Sequence, residues 1–312
     1  MGAVIRVESL VKEYRDGGRV GPITLTVGQS EVYGLVGPNG SGKTTTLRAV
    51  LGLLRPTSGR VEVLGADPFE DPKRVNSRVG YSPELPTFPA FFTARKLLEV
   101  TCRLKGMSLQ ETKREVERVL DLTGLVRHAD RRVAGFSKGM IQRLSIGQAL
   151  VGDPDLLILD EPMLGVDPVG RVHIREVLQE ERRQGKTIVF SSHELYEVER
   201  VSDRVAMVYM GRTVLEGSVA DLLRPSEDVV LEVRVKRPPA DGVRNAILRT
   251  EGVRSLEIDG QALRVVFDGS RDPREEIADL LVRSGCGLLE MRTAPPSLED
   301  VFVKVVRDGV HS

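Results

Sequence analysis

The stretch Gly37-Pro38-Asn39-Gly40-Ser41-Gly42-Lys43-Thr44-Thr45 determines how the rest of the chain is interpreted. It fits the pattern G-x-x-x-x-G-K-[ST], in which a glycine-rich loop holds nucleotide phosphates. Gly37, Gly40 and Gly42 allow backbone angles that turn successive N–H groups toward phosphate oxygens. The alternative is a glycine-rich turn that matches the pattern by chance.

The residues on either side of this loop argue for a nucleotide site. Glu31–Val36 is a short apolar run typical of a buried strand, and Thr44–Leu54 has a helical pattern. A helix that starts at the loop turns the positive end of its dipole toward a bound anion. Lys43 would place a charge beside the β- and γ-phosphates, and the Thr44 hydroxyl is suited to ligate Mg²⁺. The sequence therefore predicts a strand, a phosphate-binding loop and a helix in succession.

Composition excludes several classes of protein. The chain has 312 residues, and its 45 Lys and Arg balance 45 Asp and Glu. Because nucleic-acid binders depend on excess positive charge, we expect no nucleic-acid partner. Apolar runs such as Val205–Met210 are far shorter than the ~20 residues of a membrane helix. Cys102 and Cys286 lie far apart in the sequence and indicate neither a disulfide framework nor a metal cluster. We therefore expect the protein to be located in a reducing cytosol.

Two further apolar runs end in polar residues. Leu156–Leu159 is followed by Asp160 and Glu161, and Thr187–Phe190 is followed by Ser191-Ser192-His193. Open α/β sheets bind ligands at the carboxyl ends of their parallel strands. With helical patterns between the strands, these runs predict an α/β core whose polar strand ends belong to the site.

Helical patterns dominate the region from about residue 85 to 150. Thr93–Leu104 and Leu109–Leu122 are predicted helices, the second with a clear apolar face, and Ser137 is a predicted N-cap of a helix that runs to about Leu150. We therefore predict a helical subdomain in this region.

An aromatic cluster lies at the start of that region. Phe88, Phe91 and Phe92 follow a proline-rich segment. They can form a local hydrophobic core or a docking surface for a partner, and the sequence leaves both interpretations open.

The last part of the chain has a different pattern. A proline-marked boundary falls at Arg224-Pro225-Ser226-Glu227, and residues 229–235 and 263–267 alternate as half-buried strands do. A helical apolar stripe follows over residues 277–281. We predict a small α+β accessory domain over residues 225–312, after a nucleotide-binding domain over residues 1–224.

Five motifs stand in order along the first 224 residues. They are the phosphate loop, Phe136-Ser137-Lys138-Gly139-Met140-Ile141-Gln142-Arg143, Leu157-Ile158-Leu159-Asp160-Glu161-Pro162, Gly165-Val166-Asp167-Pro168 and Ser192-His193. This order resembles the ATP-binding-cassette (ABC) ATPases, whose cassettes combine a mixed sheet core with a helical subdomain. The Ser-Lys-Gly-Met signature and the tail Pro296-Ser297-Leu298-Glu299-Asp300-Val301-Phe302 are similar to those of ABC-2-type exporter subunits.

The resemblance implies a role for each matched position. Tyr14 would stack on adenine, and residues 37–45 would hold the phosphates of ATP. Thr44 and Asp160 would position Mg²⁺. Glu161 would act as the general base toward the attacking water. These assignments follow from the family pattern and make the chain an ATPase.

Other matched positions concern the γ-phosphate and the partners. His193 would contact that phosphate and help to position the water. Ser137 and Gly139 would act in trans, on ATP held by a second copy of the chain. The resemblance also implies a separate transmembrane permease and a location on the inner face of the cell membrane.

Some positions depart from the family pattern. Glu84 stands where the family usually has Gln, and it can still take part in catalysis or ligate Mg²⁺. Lys138 and Met140 replace Gly and Gln of the usual signature, and Leu164 replaces a Ser that helps to link the two sites of a dimer. Two alternatives follow: a soluble ABC-type ATPase not coupled to transport, and a weakly hydrolysing regulatory ATP-binding module.

Overall fold

The computed structural model describes residues 2–224, 229–268, 271–294 and 297–310. Within it the chain divides into two compact units. The first contains the residues up to Val219 together with the end of the chain from Val305, and the second is Ala220–Lys304. The predicted linker residues Pro225, Ser226 and Glu227 lie outside the described residues.

Two sheets and a set of helices build the first unit. Its strands are β1 (Ile5–Glu13), β2 (Arg19–Val27), β3 (Val32–Val36), β4 (Ser58–Val63), β5 (Val79–Ser82), β6 (Leu156–Leu159), β7 (Thr187–Ser192), β8 (Arg204–Tyr209) and β9 (Arg212–Ser218). Its helices are α1 (Lys43–Val50), α2 (Pro72–Asn76), α3 (Ala94–Leu104), α4 (Leu109–Leu122), α5 (Lys138–Leu150), α6 (Pro168–Arg183) and α7 (Leu195–Val201).

The sheet order brings distant strands together. One sheet is antiparallel in the order β2-β1-β4, and the other has the order β5-β6-β7-β3-β8-β9. In the second sheet β5, β6, β7, β3 and β8 are parallel, and β9 pairs antiparallel with β8. The predicted α/β class with a mixed sheet is confirmed. β6 and β7 lie beside each other and β3 lies beside β7, so their carboxyl ends share one edge.

The alternating pattern of the first strands is explained by a shared core. Ile5 and Val7 of β1 and Ile23, Leu25 and Val27 of β2 are all buried. They join one core with α1 and the parallel strands. Each such side chain contributes about 1.5–3 kcal/mol by leaving water. This core includes residues of both β3 and α1, the two elements that flank the loop.

The first helix is shorter than the sequence predicts. We expected it to run from Thr44 to Leu54, but α1 ends at Val50. Gly52 adopts a left-handed φ of +70°, and the backbone N–H of Leu53 turns back to donate to Arg48 O at 2.8 Å. The glycine ends the helix, because left-handed backbone is readily available to it.

The helical region has a core of its own. Side chains of α3, α4 and α5, among them Leu98, Val119 and Leu144, are fully buried in it. The predicted N-cap at Ser137 is confirmed, because its hydroxyl accepts from Met140 N at 3.3 Å. Thr93, predicted as the first helical residue, is instead the N-cap of α3.

The aromatic cluster divides between the two interpretations. Phe88 and Phe92 are half-buried and pack against the helical core. Phe91 is 69% exposed, and its ring meets that of Phe92 edge-on at a centroid distance of 4.7 Å. A local core is therefore the correct interpretation for Phe88 and Phe92, and only Phe91 is available for docking.

The second unit contains a four-stranded antiparallel sheet in the order β11-β12-β10-β13. Its strands are β10 (Val229–Val235), β11 (Val253–Asp259), β12 (Ala262–Phe267) and β13 (Leu288–Ala294), and the helices from the boundary onward are α8 (Val219–Leu222), α9 (Asp241–Arg249), α10 (Arg274–Arg283) and α11 (Leu298–Val310). Alternation predicts β10 and β12 correctly. It misses β11 and β13, which lie at the two edges of the sheet and have many exposed residues.

Candidate nucleotide-binding site

Two glycines give the loop between β3 and α1 its shape. The Gly37 N–H donates to Ser192 O at 3.2 Å, and a Cβ on Gly37 would lie 2.0 Å from Val208 O. Gly42 has a φ of +109°, and a Cβ there would lie 2.6 Å from the Val20 side chain. Any larger residue would displace the loop at either position, since a Cβ needs more than 3 Å.

Lys43 is the first residue of α1 and is buried beneath the loop. Its ammonium donates to the carbonyl oxygens of Gly37 at 2.8 Å and Pro38 at 3.2 Å. The same nitrogen lies 3.4 Å from Glu161 Oε1. Within the described part of the chain, Glu161 Oε1 and Ser41 Oγ are buried and have no hydrogen-bond partner. The Lys43 ammonium and two polar atoms without hydrogen-bond partners among the described residues, Ser41 Oγ and Glu161 Oε1, thus belong to the loop and its immediate neighbour.

Asp160 is positioned by two hydroxyls that donate to the same oxygen. Thr44 Oγ1 lies 3.3 Å from Asp160 Oδ1, and Ser191 Oγ lies 2.5 Å from it. Ser191 also accepts from the backbone N–H of Glu161 at 2.8 Å. Ser191 belongs to none of the five sequence motifs, and its role in positioning Asp160 follows only from these contacts. Its position at the polar end of an apolar strand, two residues before His193, was the available signal.

Glu161 and His193 form a direct pair. His193 Nδ1 lies 2.9 Å from Glu161 Oε2. With a proton on Nδ1 the ring donates to the carboxylate and leaves Nε2 as an acceptor. Glu161 has a left-handed φ of +48°, a conformation that is costly for a side chain with a Cβ. The Ser191 bond to its backbone holds this strained turn in place.

A pocket of about 230 Å³ opens at this edge of the sheet. Its lining residues are Val20, Asn39, Gly40, Gly42, Lys43, Thr44, Thr45, Glu84 and Glu161. All of them except Val20 were singled out from the sequence. Thr44 and Glu84 line the pocket, and Asp160 contacts Thr44, so hydroxyl and carboxylate oxygens of the kind that Mg²⁺ prefers lie in or beside it.

Tyr14 and Tyr81 are the tyrosines at this site. Tyr14 OH is 2.9 Å from Thr45 Oγ1, which places this partly exposed ring beside the loop. Burial raises the pKa of the Tyr81 phenol, and the carboxylates of Asp160 and Glu84 raise it further. Tyr81 therefore remains neutral at physiological pH.

Ser137 and Gly139 are not among the residues that line the pocket. Both lie at the start of α5, where Ser137 caps the helix. A Cβ on Gly139 would meet Val166 Cγ1 at 3.5 Å, an ordinary contact distance. Packing within this chain therefore does not require glycine at position 139.

Known proteins are similar to this chain in sequence and fold. The profile of the ABC transporter family matches residues 20–164. The bacitracin transport ATP-binding protein of Bacillus licheniformis is 33% identical over 312 residues, which cover 99% of each chain. Nod factor export ATP-binding protein I of Rhizobium meliloti is 34% identical over 301 residues, covering 96% of this chain and 87% of that protein.

A solved structure gives the same result. The ATP binding subunit of an ABC transporter is 30% identical and superposes with a TM-score of 0.65, over 71% of this chain and 92% of that one. The fold and the pocket thus define a nucleotide-binding cassette with ATPase activity. The chain belongs to the ATP-binding subunits of ABC transporters. Such subunits dimerise and work with membrane permease components. No helix in the described residues is long and apolar enough to cross a membrane.

Proposed function

We propose that two copies of this chain power an ABC-2-type exporter from the inner face of the cell membrane, together with a separate permease. The observation that carries the proposal is the Glu161 carboxylate, held between Lys43 and His193 beside the pocket. Two of the relatives support the direction, since one is named for bacitracin transport and the other for Nod factor export.

The chain's own groups are suited to hold Mg·ATP. Residues 37–45 surround the phosphates, with Lys43 as the buried cation, and Tyr14 offers a ring to the adenine. Thr44 and Asp160 would hold Mg²⁺, with Glu84 able to join them. Mg²⁺ held there would neutralise phosphate charge. Positioning and neutralisation of this kind supply most of the catalysis in phosphoryl transfer.

Glu161 acts as the general base in this proposal. Its Oε2 accepts from His193, and its Oε1 has no hydrogen-bond donor among the described residues. Oε1 is therefore the atom that takes the proton of the attacking water. His193 holds the carboxylate in orientation, and its Nε2 faces away from Glu161 and is free to contact the γ-phosphate or the water.

Ser137 and Gly139 serve the second copy of the chain. They stand at the N-terminus of a helix of 13 residues, where backbone N–H groups and the helix dipole attract an anion. The chain's own packing gives no reason for glycine at position 139, and close approach of a phosphate in trans supplies one. ATP then joins two cassettes, and its hydrolysis separates them.

The permease docks beside Glu84 in this proposal. Leu85 is 77% exposed and Phe91 is 69% exposed, next to a residue that lines the pocket. Exposed apolar side chains such as Leu85 and Phe91 are suited to contact a partner protein. At this position the contact would respond to nucleotide in the pocket. The accessory domain that the sequence predicts over residues 225–312 stabilises or regulates the dimer in this proposal.

The test is recovery of the full-length chain from detergent-solubilised membranes of its host through an affinity tag. We expect a membrane protein with several transmembrane helices to copurify with the chain. The ATPase activity of the chain should persist in this complex. Recovery of the chain free of membrane proteins, with full ATPase activity, would contradict transport coupling and favour a soluble ATPase.

A further inference from the structure

Arg171 on α6 connects two segments that flank the site. Its Nε donates to the backbone oxygen of Val166 at 3.1 Å. Val166 lies in the loop of residues 164–167, which we call the 164–167 loop. The two terminal nitrogens of Arg171 form a fork on Glu194, one bond measuring 2.9 Å between Nη2 and Oε1 and the other joining Nη1 to Oε2. Glu194 follows His193 directly in the chain.

The other end of this bridge is equally constrained. The Glu194 N–H donates to Ser192 Oγ at 3.0 Å, so its backbone and its carboxylate are both held. The Arg171 pair lowers the pKa of the Glu194 carboxyl and raises the pKa of the guanidinium. Both groups therefore stay charged at physiological pH.

A buried carboxylate completes the cluster. Glu197 on α7 is 3% exposed and accepts from Arg171 Nη1 at 3.3 Å and from Arg175 Nη1 at 2.8 Å. Arg171 thus donates to acceptors on three residues, Val166, Glu194 and Glu197, which lie on two segments of the chain. Arg175 lies one turn further along α6, and among the described residues Glu197 is the only acceptor that it has in common with Arg171.

We propose that Arg171 is a positioning residue that couples the 164–167 loop to His193. The inference rests on the proposed role of His193 at Glu161. A shift of the Val166 carbonyl moves the guanidinium, the fork moves Glu194, and the adjacent peptide moves His193. The planar guanidinium suits this task because its donors have fixed mutual directions. The position of the 164–167 loop thereby controls the Glu161–His193 pair without contact between Arg171 and nucleotide.

The test compares full-length variants by their kcat and KM for ATP in Mg²⁺, with thermal melting of each. Arg171→Gln should lower kcat about tenfold, since small displacements of catalytic groups cost rate. Its KM should stay close to that of the wild type, because the phosphate loop is untouched. Arg171→Lys keeps the charge but loses the fork, so its kcat should lie between the two. Arg175→Gln is the matched control and should keep wild-type kcat.

Coupling through Glu194 is checked by a double-mutant cycle. Glu194→Gln should lower kcat as Arg171→Gln does, and the double variant should be no slower than either single variant. Because Glu194 is partly exposed, its variant carries the test if Arg171→Gln does not fold. Equal losses in Arg175→Gln and Arg171→Gln would show a purely structural cluster and overturn the proposal.

A further variant separates this inference from the proposed mechanism. If His193→Ala keeps the wild-type kcat, His193 has no part in the reaction. That result would overturn both its proposed role at Glu161 and its proposed coupling to Arg171. A slow His193→Ala beside a wild-type Arg171→Gln would overturn the coupling alone.

Discussion

His193 Nδ1 and Glu161 Oε2 lie 2.9 Å apart, so the two oxygens of this carboxylate have different surroundings. In the proposed mechanism, the oxygen that contacts His193 keeps the carboxylate oriented. The other oxygen faces Lys43 at 3.4 Å and has no hydrogen-bond donor among the described residues. A base held in this way can accept a proton without losing its position.

Glu161→Gln should slow hydrolysis strongly while leaving nucleotide binding intact. The amide keeps the size of the side chain but cannot accept the proton, so kcat should fall about a hundredfold or more. Size-exclusion chromatography in Mg·ATP should show a persistent dimer where the wild type dimerises only transiently. Glu176→Gln, at a largely exposed position, is the matched control. A variant that binds ATP but remains monomeric would favour the regulatory interpretation and point to Lys138 and Leu164.

Lys43→Ala should abolish measurable hydrolysis without destroying the fold. It also removes the cation next to a buried carboxylate, which lowers the free energy of unfolding by about 3 kcal/mol. Adding Glu161→Gln should restore part of that stability, because the buried charge is then gone. Phosphate release and denaturant melts measure both effects. Wild-type turnover in Lys43→Ala would show that the phosphate loop is wrongly assigned.

Ser191→Ala should impair both stability and rate. It removes a donor to Asp160 and leaves the Glu161 N–H without its acceptor, a loss of about 1–3 kcal/mol. We expect kcat to fall, because both carboxylates then lose a constraint. Ser145→Ala removes another buried hydroxyl, which contacts Ser82 at 2.7 Å, and should affect stability alone. Equal kcat values in the two variants would show that Ser191 does not position Asp160 and Glu161 for the reaction.

Phe91→Ser should weaken permease assembly with little effect on stability or ATP affinity. The side chain is exposed, so its removal leaves the helical core intact. Phe92→Ser is the comparison, since Phe92 packs against that core and its loss should lower the melting temperature. Copurification and melting measure the two effects. Full assembly of Phe91→Ser would remove Phe91 from the permease contact.

A chain that ends at Arg224 should still bind ATP. The described residues that line the pocket all precede residue 162. Titration with a fluorescent ATP analogue, beside the full-length chain, measures the affinity. A truncated chain that folds but does not bind ATP would assign the accessory domain a direct part in the site.

The phosphate loop is determined by sequence alone because its essential parts are local. The glycines, Lys43 and the start of α1 lie within nine consecutive residues, and the conformations they require follow from residue type. The α/β class is determined similarly, since apolar runs of strand length alternate with helical patterns. The N-cap at Ser137 is local as well, because the Ser137 hydroxyl accepts from the backbone N–H of Met140, three residues later in the chain.

Only the tertiary structure decided the contacts between distant segments. Ser191 contacts Asp160 across 31 residues, and Arg171 contacts Glu194 across 23. Phe91 and Phe92 are neighbours of the same type, and packing alone made one exposed and the other half-buried. Such contacts depend on which strands and helices become neighbours. A residue pattern specifies which face of an element is apolar, and it leaves open which side chains from elsewhere in the chain will meet that face.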